Sequence, residues 1–250
     1  METGGEYAGR AAVITGAARG LGRAFAEALA RRGALVTLVD LDAEACKAAA
    51  SEIGHGAVAA VADVADEPAV EALMAQVAAR CGGVHILINN AAIHSAEADL
   101  YIGALGVART RRMFDVNVWG VIHCTLAARP WMAKRPGASI VNIASMAAYG
   151  SQRAYGVTKL AVRGLTASFA HELGPEGIRV NAIAPGLVLT ETIRAELPET
   201  TLSYVQGMQI IRRPGEPGDI VEAMLWLTSR GASFVTGETL RVSGGATLQV

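Results

Sequence analysis

Two side chains with acid–base potential stand four residues apart, at Tyr155 and Lys159. The surrounding segment, 153–173, has the apolar spacing of a helix, so both side chains are expected on one face. Lysine occurs only at positions 47, 134 and 159, so this spacing would seldom arise by chance. An ammonium group lowers the pKa of a neighbouring phenol by favouring the phenolate. The pair therefore predicts proton transfer near neutral pH; the alternative is a surface tyrosine packed on a lysine stem.

A hydroxyl group precedes this pair in the sequence. Ser145 follows the apolar run 140–144 and is expected at the carboxyl end of a strand. At that place it can hydrogen-bond a substrate oxygen, or it can serve only as a turn residue or helix cap.

A glycine-rich turn, Thr15-Gly-Ala-Ala-Arg-Gly-Leu-Gly22, lies between a predicted strand and a predicted helix. Glycines allow a tight turn and a close backbone approach to a pyrophosphate, and the free N–H groups of a helix start favour an anion. The spacing is G-x-x-x-G-x-G rather than the usual dinucleotide fingerprint. Asp40, at the end of the second predicted strand, can accept hydrogen bonds from ribose hydroxyls. A dinucleotide site is predicted here.

The choice between NAD and NADP depends on the charges beside this turn. The Asp40 carboxylate would repel the 2′-phosphate of NADP, whereas Arg19 could pair with that phosphate. Leu41 supplies no second cation. NAD is therefore the predicted cofactor, and NADP the second choice.

Seven apolar runs alternate with helical stretches. The strands that these runs predict would hold the candidate site residues in place. The runs cover residues 11–15, 34–39, 57–62, 84–88, 138–143, 179–183 and 239–242. Strands without polar alternation, separated by helices, are typical of a parallel sheet covered on both faces. We expect an α/β fold: residues 1–250 as a single domain with a doubly wound, Rossmann-like parallel β-sheet flanked by helices on both faces. Ligands are expected at the carboxyl ends of the strands.

The composition argues against several other classes of protein. The chain has 250 residues, a formal charge of −1 and 52% hydrophobic residues, so no basic face for nucleic acid is indicated. No apolar run is long enough for a membrane helix, and the acidic start does not resemble a signal peptide. Cysteines 46, 81 and 124 and the five histidines show no metal-ligand spacing. We expect a cytoplasmic protein with reduced thiols, no bound metal, and neither nucleic-acid nor membrane partners.

The glycine turn, Ser145 and the Tyr155/Lys159 pair together resemble the short-chain dehydrogenase/reductase family in its short, non-extended form. The resemblance covers nearly the whole chain. Further segments match motifs of that family: Asp63-Val64 its adenine-contacting pair, Asn89-Asn90-Ala91-Ala92 its NNAG element, Asn117 its helix asparagine, and Pro185-Gly186-Leu187-Val188-Leu189-Thr190 its PGxxxT segment.

The resemblance implies reversible hydride transfer between a nicotinamide cofactor and a secondary alcohol or ketone, including 3-oxoacyl-type or hydrophobic ketones. Tyr155 would exchange the substrate proton, Lys159 would bind the nicotinamide ribose, Ser145 would orient the substrate oxygen and Asn117 would hold a relay water. A homotetramer, or a dimer, is also implied. The implied cofactor contacts are Gly16, Arg19, Gly20, Leu21, Gly22, Asp40, Leu41, Asp63, Val64, Asn89, Ala91, Tyr155, Lys159, Pro185, Gly186, Val188 and Thr190.

The sequence departs from the family pattern at two places, and other functions stay open. Ala92 replaces the last glycine of NNAG, and the loop between Ser145 and Tyr155 is shorter than usual. Residues 187–213 are expected to form a substrate lid, or else their apolar side chains pack on one another. The first alternative function is a non-catalytic dinucleotide-binding regulator or scaffold. The second is a nucleotide-sugar epimerase, disfavoured because little chain follows Gly186.

Overall fold

Seven parallel strands form one sheet in a computed structural model that describes residues 5–94, 99–133, 135–150, 152–190 and 206–247. Their order is β3-β2-β1-β4-β5-β6-β7, and every neighbouring pair is parallel. The predicted doubly wound sheet is confirmed, with strand ends shifted by a residue or two. The strands are β1 (Ala11–Thr15), β2 (Leu35–Asp40), β3 (Val58–Val61), β4 (Ile86–Asn89), β5 (Ser139–Ile143), β6 (Arg179–Pro185) and β7 (Thr239–Val242).

Helices cover both faces of this sheet. Asp42 and Asp66 begin two of them by accepting the backbone N–H groups of Ala45 and Ala69, which a helix start otherwise leaves unpaired. The helices are α1 (Gly20–Ala30), α2 (Ala43–Ile53), α3 (Glu67–Cys81), α4 (Ile102–Leu105), α5 (Val107–Phe114), α6 (Gly120–Met132), α7 (Ala147–Gly150), α8 (Ala154–Leu173) and α9 (Pro217–Thr228), with a π-helical turn at Asp115–Trp119.

The two faces of the sheet carry separate apolar cores. Phe25 of α1 and Met224 of α9 pack on one face, whereas Met74 of α3 and Leu173 of α8 pack on the other. Strands β1, β4 and β5 are buried along their full length. Burial on both sides explains why these strands are continuously apolar in sequence.

A polar pair crosses the middle of the sheet. Asn89 and Asn142 are partners in the β4–β5 register, and the Asn89 amide nitrogen donates to the Asn142 amide oxygen at 2.8 Å. Asn89 also donates to Thr125 on α6, and Asn142 donates to Thr166 on α8. The pair links both strands to the helices above them.

The order of the strands reverses between β1 and β4, and this is where such sheets bind ligands. The glycine turn follows β1, the Asn-Asn-Ala-Ala segment follows β4, and Ser145 follows β5. Three predicted motifs therefore meet at one edge of the sheet.

The described residues contain neither a membrane-spanning helix nor a cluster of metal ligands. None of their helices is long and apolar enough to cross a membrane, and none of their acidic, histidine and cysteine side chains cluster as a metal site would require. Cys46, Cys81 and Cys124 are free thiols.

Candidate active site

Ser145, Tyr155 and Lys159 come together beside the carboxyl end of β5. Lys159 is only 3% exposed, and its ammonium donates to the carbonyl oxygen of Ile143 at 2.7 Å. Its Nζ lies 5.7 Å from the centroid of the Tyr155 ring. The Ser145 hydroxyl lies near enough to that of Tyr155 to lower the Tyr155 pKa. Ser145 also accepts the backbone N–H of Ala147 at 3.1 Å, so it serves the turn as well.

Burial has the largest effect on the pKa values of Tyr155 and Lys159. Removal from water raises the pKa of Tyr155 to about 12; the hydrogen bond with Ser145 lowers this pKa, and the charge of Asp99 raises it. Removal from water also lowers the pKa of Lys159 to about 8. In the protein groups alone the pKa of Tyr155 is thus raised rather than lowered, and the effect of Lys159 on it stays a prediction. The ammonium is engaged by the Ile143 carbonyl, and burial of the phenol has the larger effect.

Asn117 lies in the π-helical turn, fully buried. Its amide oxygen accepts the backbone N–H of Ile93 at 2.7 Å, and its amide nitrogen donates to the Ile93 carbonyl and to Thr158 Oγ1. Thr158 in turn donates to the carbonyl oxygen of Tyr155 at 2.7 Å. The extra residue of a π turn often marks a functional site. Here it places Asn117 between the segment after β4 and α8; its role toward a water stays a prediction.

The glycine turn is closely packed on one side and open on the other. A Cβ on Gly22 would lie 2.1 Å from the Gly16 carbonyl oxygen, and one on Gly16 would lie 2.8 Å from Ala91 Cα. Gly20, with φ of +57°, would meet nothing nearer than Thr190 Cγ2 at 4.0 Å. No side chain caps the start of α1, and its first turn holds no acidic residue. Exposed N–H groups above an open glycine fit a pyrophosphate.

Asn90 supports this turn and was not singled out in the sequence. Its amide nitrogen donates to the carbonyl oxygens of Thr15 and Gly16 at 3.0 and 2.9 Å. The Thr15 hydroxyl accepts the backbone N–H groups of Asn90 and Ala91. The Asn-Asn motif was the available signal, but it did not indicate which amide faces the turn. The side-chain nitrogen of Asn89 donates to Asn142 and Thr125, and its contact with a cofactor stays a prediction.

The end of β2 carries two carboxylates, each with a separate task. Asp40 accepts the backbone N–H groups of Ala18 and Asp42 at 3.0 and 3.1 Å, which ties β2 to the glycine turn. The Asp42 carboxylate accepts a hydrogen bond from Arg19 Nη2 at 3.1 Å. Arg19, the cation that would favour NADP, is therefore paired with Asp42. The Leu41 side chain is exposed beside them.

Asp63 and Val64 follow β3. Although burial raises its pKa, the Ala65 N–H and the Arg112 guanidinium together hold the pKa of Asp63 below its usual value. The Arg112 contact is 2.6 Å long. Val64 packs closely on Gly120, because a Cβ added to Gly120 would lie 2.6 Å from Val64 Cγ2.

The segment after β6 returns to the glycine turn. A Cβ on Gly186 would lie 2.7 Å from Ser243 Cα, and Val188 forms an isolated parallel bridge with Gly215. Thr190 then reaches the open side of Gly20. The middle of the predicted lid, 191–205, lies outside the described residues. Its ends contribute to a cavity of about 270 Å³ whose lining includes Leu187, Val188, Gln209, Ile211 and Arg213.

Comparison with known proteins identifies what the chain is similar to. The family model described as "Enoyl-(Acyl carrier protein) reductase" matches residues 16–247. Cis-4-hydroxycyclohexanecarboxylate dehydrogenase of Sinomonas cyclohexanicum is 39% identical, over 98% of this chain and 99% of the relative. The 7alpha-hydroxysteroid dehydrogenase of Escherichia coli is 36% identical, over 95% and 94%. A crystal structure of a short-chain dehydrogenase/reductase from Brucella melitensis aligns with TM-score 0.91 and 33% identity, covering 99% of this chain and all of the other.

Proposed function

The chain belongs to the short-chain dehydrogenase/reductase family, and we propose that it transfers hydride reversibly between a nicotinamide cofactor and a secondary alcohol or ketone. The observation that carries this proposal is the convergence of Ser145, Tyr155 and Lys159 beside the glycine turn. A regulator or scaffold that only bound a dinucleotide would have no use for these three side chains together.

The residues of the glycine turn would hold the dinucleotide. The N–H groups at the start of α1 would receive the pyrophosphate, and Asp40 would accept the ribose hydroxyls at the end of β2. Lys159 and Thr190 would hold the nicotinamide end. We propose NAD as the preferred cofactor because Asp40 and Asp42 place two carboxylates near the ribose and Asp42 already binds Arg19.

The bound nicotinamide would supply the hydride acceptor or donor. Tyr155 would take the hydroxyl proton of an alcohol, or return a proton to a ketone oxygen. The Ser145 hydroxyl, already within hydrogen-bond reach of Tyr155, would orient that oxygen. Lys159 would stabilise the phenolate by its positive charge, and Asn117 would keep the segment around Ile93 fixed against α8.

The relatives suggest where to look for the substrate. Both dehydrogenases named above act, by their names, on hydroxyl groups carried by aliphatic rings. We propose that the substrate belongs to the class of apolar secondary alcohols and ketones, with cyclic examples foremost.

A substrate panel tests the function. Cyclic and linear secondary alcohols, the matching ketones, 3-oxoacyl thioesters and an enoyl thioester are each assayed by NADH and NADPH absorbance. We expect turnover of alcohols and ketones, with the higher kcat/KM for NAD. Turnover of the enoyl thioester alone would contradict the proposed reaction, and NAD binding without any turnover would favour the non-catalytic alternative.

Removal of the phenolic oxygen tests the proposed role of Tyr155. Tyr155→Phe should abolish turnover while NAD affinity, measured by calorimetry, stays close to that of the wild type. Tyr149→Phe removes a tyrosine hydroxyl from the neighbouring helix α7 and serves as the matched control. Substantial kcat in Tyr155→Phe would reject this role.

A further inference from the structure

The first turn of α8 is held by the segment that follows β4. Arg153, the residue before the helix, donates Nη1 to the Asp99 carbonyl oxygen at 2.9 Å and to its carboxylate at 2.7 Å. Leu100 then accepts the backbone N–H of Ala154 at 3.0 Å. Arg153, the N-cap residue, makes no side-chain cap hydrogen bond. Since the first N–H groups of a helix lack partners within it, Leu100 takes the place of a cap.

The same segment contacts the tyrosine. The rings of His94 and Tyr155 lie 4.5 Å apart, centroid to centroid, at an angle of 48°. Ile93 and Leu105 pack in one apolar cluster with Ala154 and Tyr155. The position of the Tyr155 ring therefore depends on residues fifty or more positions earlier in the chain.

Titratable and charged groups lie around Tyr155 at three places in the described residues. Lys159 lies one turn along α8, the His94 ring lies tilted against the Tyr155 ring, and Asp99 lies with Arg153 at the start of the helix. Asp99 and Arg153 are partly exposed, so their ion pair adds little to global stability. A role at the tyrosine explains this arrangement better than a role in holding the fold.

We propose that Asp99 and Arg153 are positioning residues for the acid–base tyrosine. Their pairing fixes the first turn of α8 and holds the Asp99 carboxylate at the end of the helix that carries the Tyr155 phenol. This inference rests on the proposed function, because it takes Tyr155 as the proton carrier.

Asp99→Asn separates the charge from the contact. Asparagine keeps an oxygen that accepts from Arg153 and removes the negative charge near the phenol. The pH profile of kcat/KM for alcohol oxidation should move to lower pH by a few tenths of a unit, with an unchanged plateau. Glu44→Gln, an equal charge change on exposed α2, should leave the profile where it is.

Arg153→Gln tests the contact. Loss of the charge-assisted bonds should lower kcat several-fold at every pH while KM for NAD stays unchanged, and Arg153→Lys should restore part of the loss. If Arg153 had only a structural role, Arg153→Gln would lower Tm without lowering kcat at constant KM for NAD. Arg31→Gln, which breaks an exposed pair on α1, should change neither quantity.

A direct titration makes the result independent of turnover. The ionisation of Tyr155 is followed by ultraviolet difference absorbance against Tyr155→Phe, in wild type and in Asp99→Asn. A shift to lower pH supports the inference even if no alcohol is oxidised, and in that case only the proposed function has failed. Superimposable titrations, or wild-type kcat in Arg153→Gln, would overturn the inference.

Discussion

Lys159 is an ammonium group almost without water, with one carbonyl oxygen as its hydrogen-bond partner. Its pKa of about 8 shows that burial disfavours the charge. The native protein therefore loses stability by holding this ammonium beside Tyr155. Such a loss of stability is usual at a functional site, where the chemistry needs a charge that folding does not need.

Lys159→Met should abolish turnover and make the protein more stable at pH 7, by roughly 3 kcal/mol, since the pKa of Lys159 falls from 10.5 to about 8 and each pKa unit corresponds to about 1.4 kcal/mol. Between pH 8 and 10.5 the native lysine releases its proton while the unfolded one retains it, so wild-type stability should rise with pH. The variant should lack this rise. Urea unfolding across that range measures both effects.

Lys47→Met is the control, because Lys47 is exposed on α2. It should leave stability and its pH dependence nearly unchanged. A Lys159→Met protein less stable than the wild type at pH 7 would contradict the argument.

Gly22 and Gly164 are both helical glycines, but a methyl group would meet very different surroundings at each. At Gly22 it would meet the Gly16 carbonyl at 2.1 Å, whereas nothing lies within 4 Å at Gly164. Gly22→Ala should cost about 1–3 kcal/mol through overpacking and weaken NAD binding. Gly164→Ala should stabilise α8 by about 0.5–1 kcal/mol. Unfolding and calorimetry check both, and equal effects would show that the turn tolerates the methyl group.

The start of α2 and the end of β2 control which charges the glycine turn presents to a cofactor. Asp42 both caps α2 and binds Arg19, so one residue links helix formation to the position of a cation. Serine can cap a helix equally well but carries no charge.

Asp42→Ser should therefore keep α2 and release Arg19 toward the 2′-position of NADP. We expect kcat/KM for NADP to rise about threefold relative to NAD, the size of an exposed ion pair. The double variant with Arg19→Ala should lose this gain. Parallel changes for both cofactors would show that Arg19 has no part in the choice.

The elements were predictable because their signals are local. Strands β1, β4 and β5 are buried on both faces, and their continuous apolar runs predict this directly. The Tyr155/Lys159 spacing likewise needs only a helix. The ion pair between Asp99 and Arg153 joins residues far apart in sequence, and no sequence pattern beside either residue indicates the contact. The protonation of Tyr155 depends on burial, which spacing alone does not contain.

Large apolar side chains are exposed on several helices, among them α5, α6 and α8. Val107 of α5, Leu126 of α6 and Leu160 of α8 are all more than two-fifths exposed. These helices, with β7, are the surfaces through which the family resemblance implies a homotetramer or dimer. Exposed apolar groups on them support that proposal.

Leu160→Glu should shift the protein to a smaller species in sedimentation equilibrium, because burial of a carboxylate in an apolar contact is unfavourable. Val61→Glu, on the outer edge strand β3, should sediment like the wild type. A monomeric wild-type protein would contradict the expected assembly.

The paired amides of Asn89 and Asn142 determine how β4 and β5 align. A strand that is apolar on both faces has no alternation to distinguish one alignment from the next. Sliding β5 by one residue would separate these amides and bury them without partners, at a cost of about 1–3 kcal/mol for each unsatisfied group. The most polar side chains at the centre of the sheet thus specify a single alignment of its most apolar strands, and with it the place where Ser145 emerges.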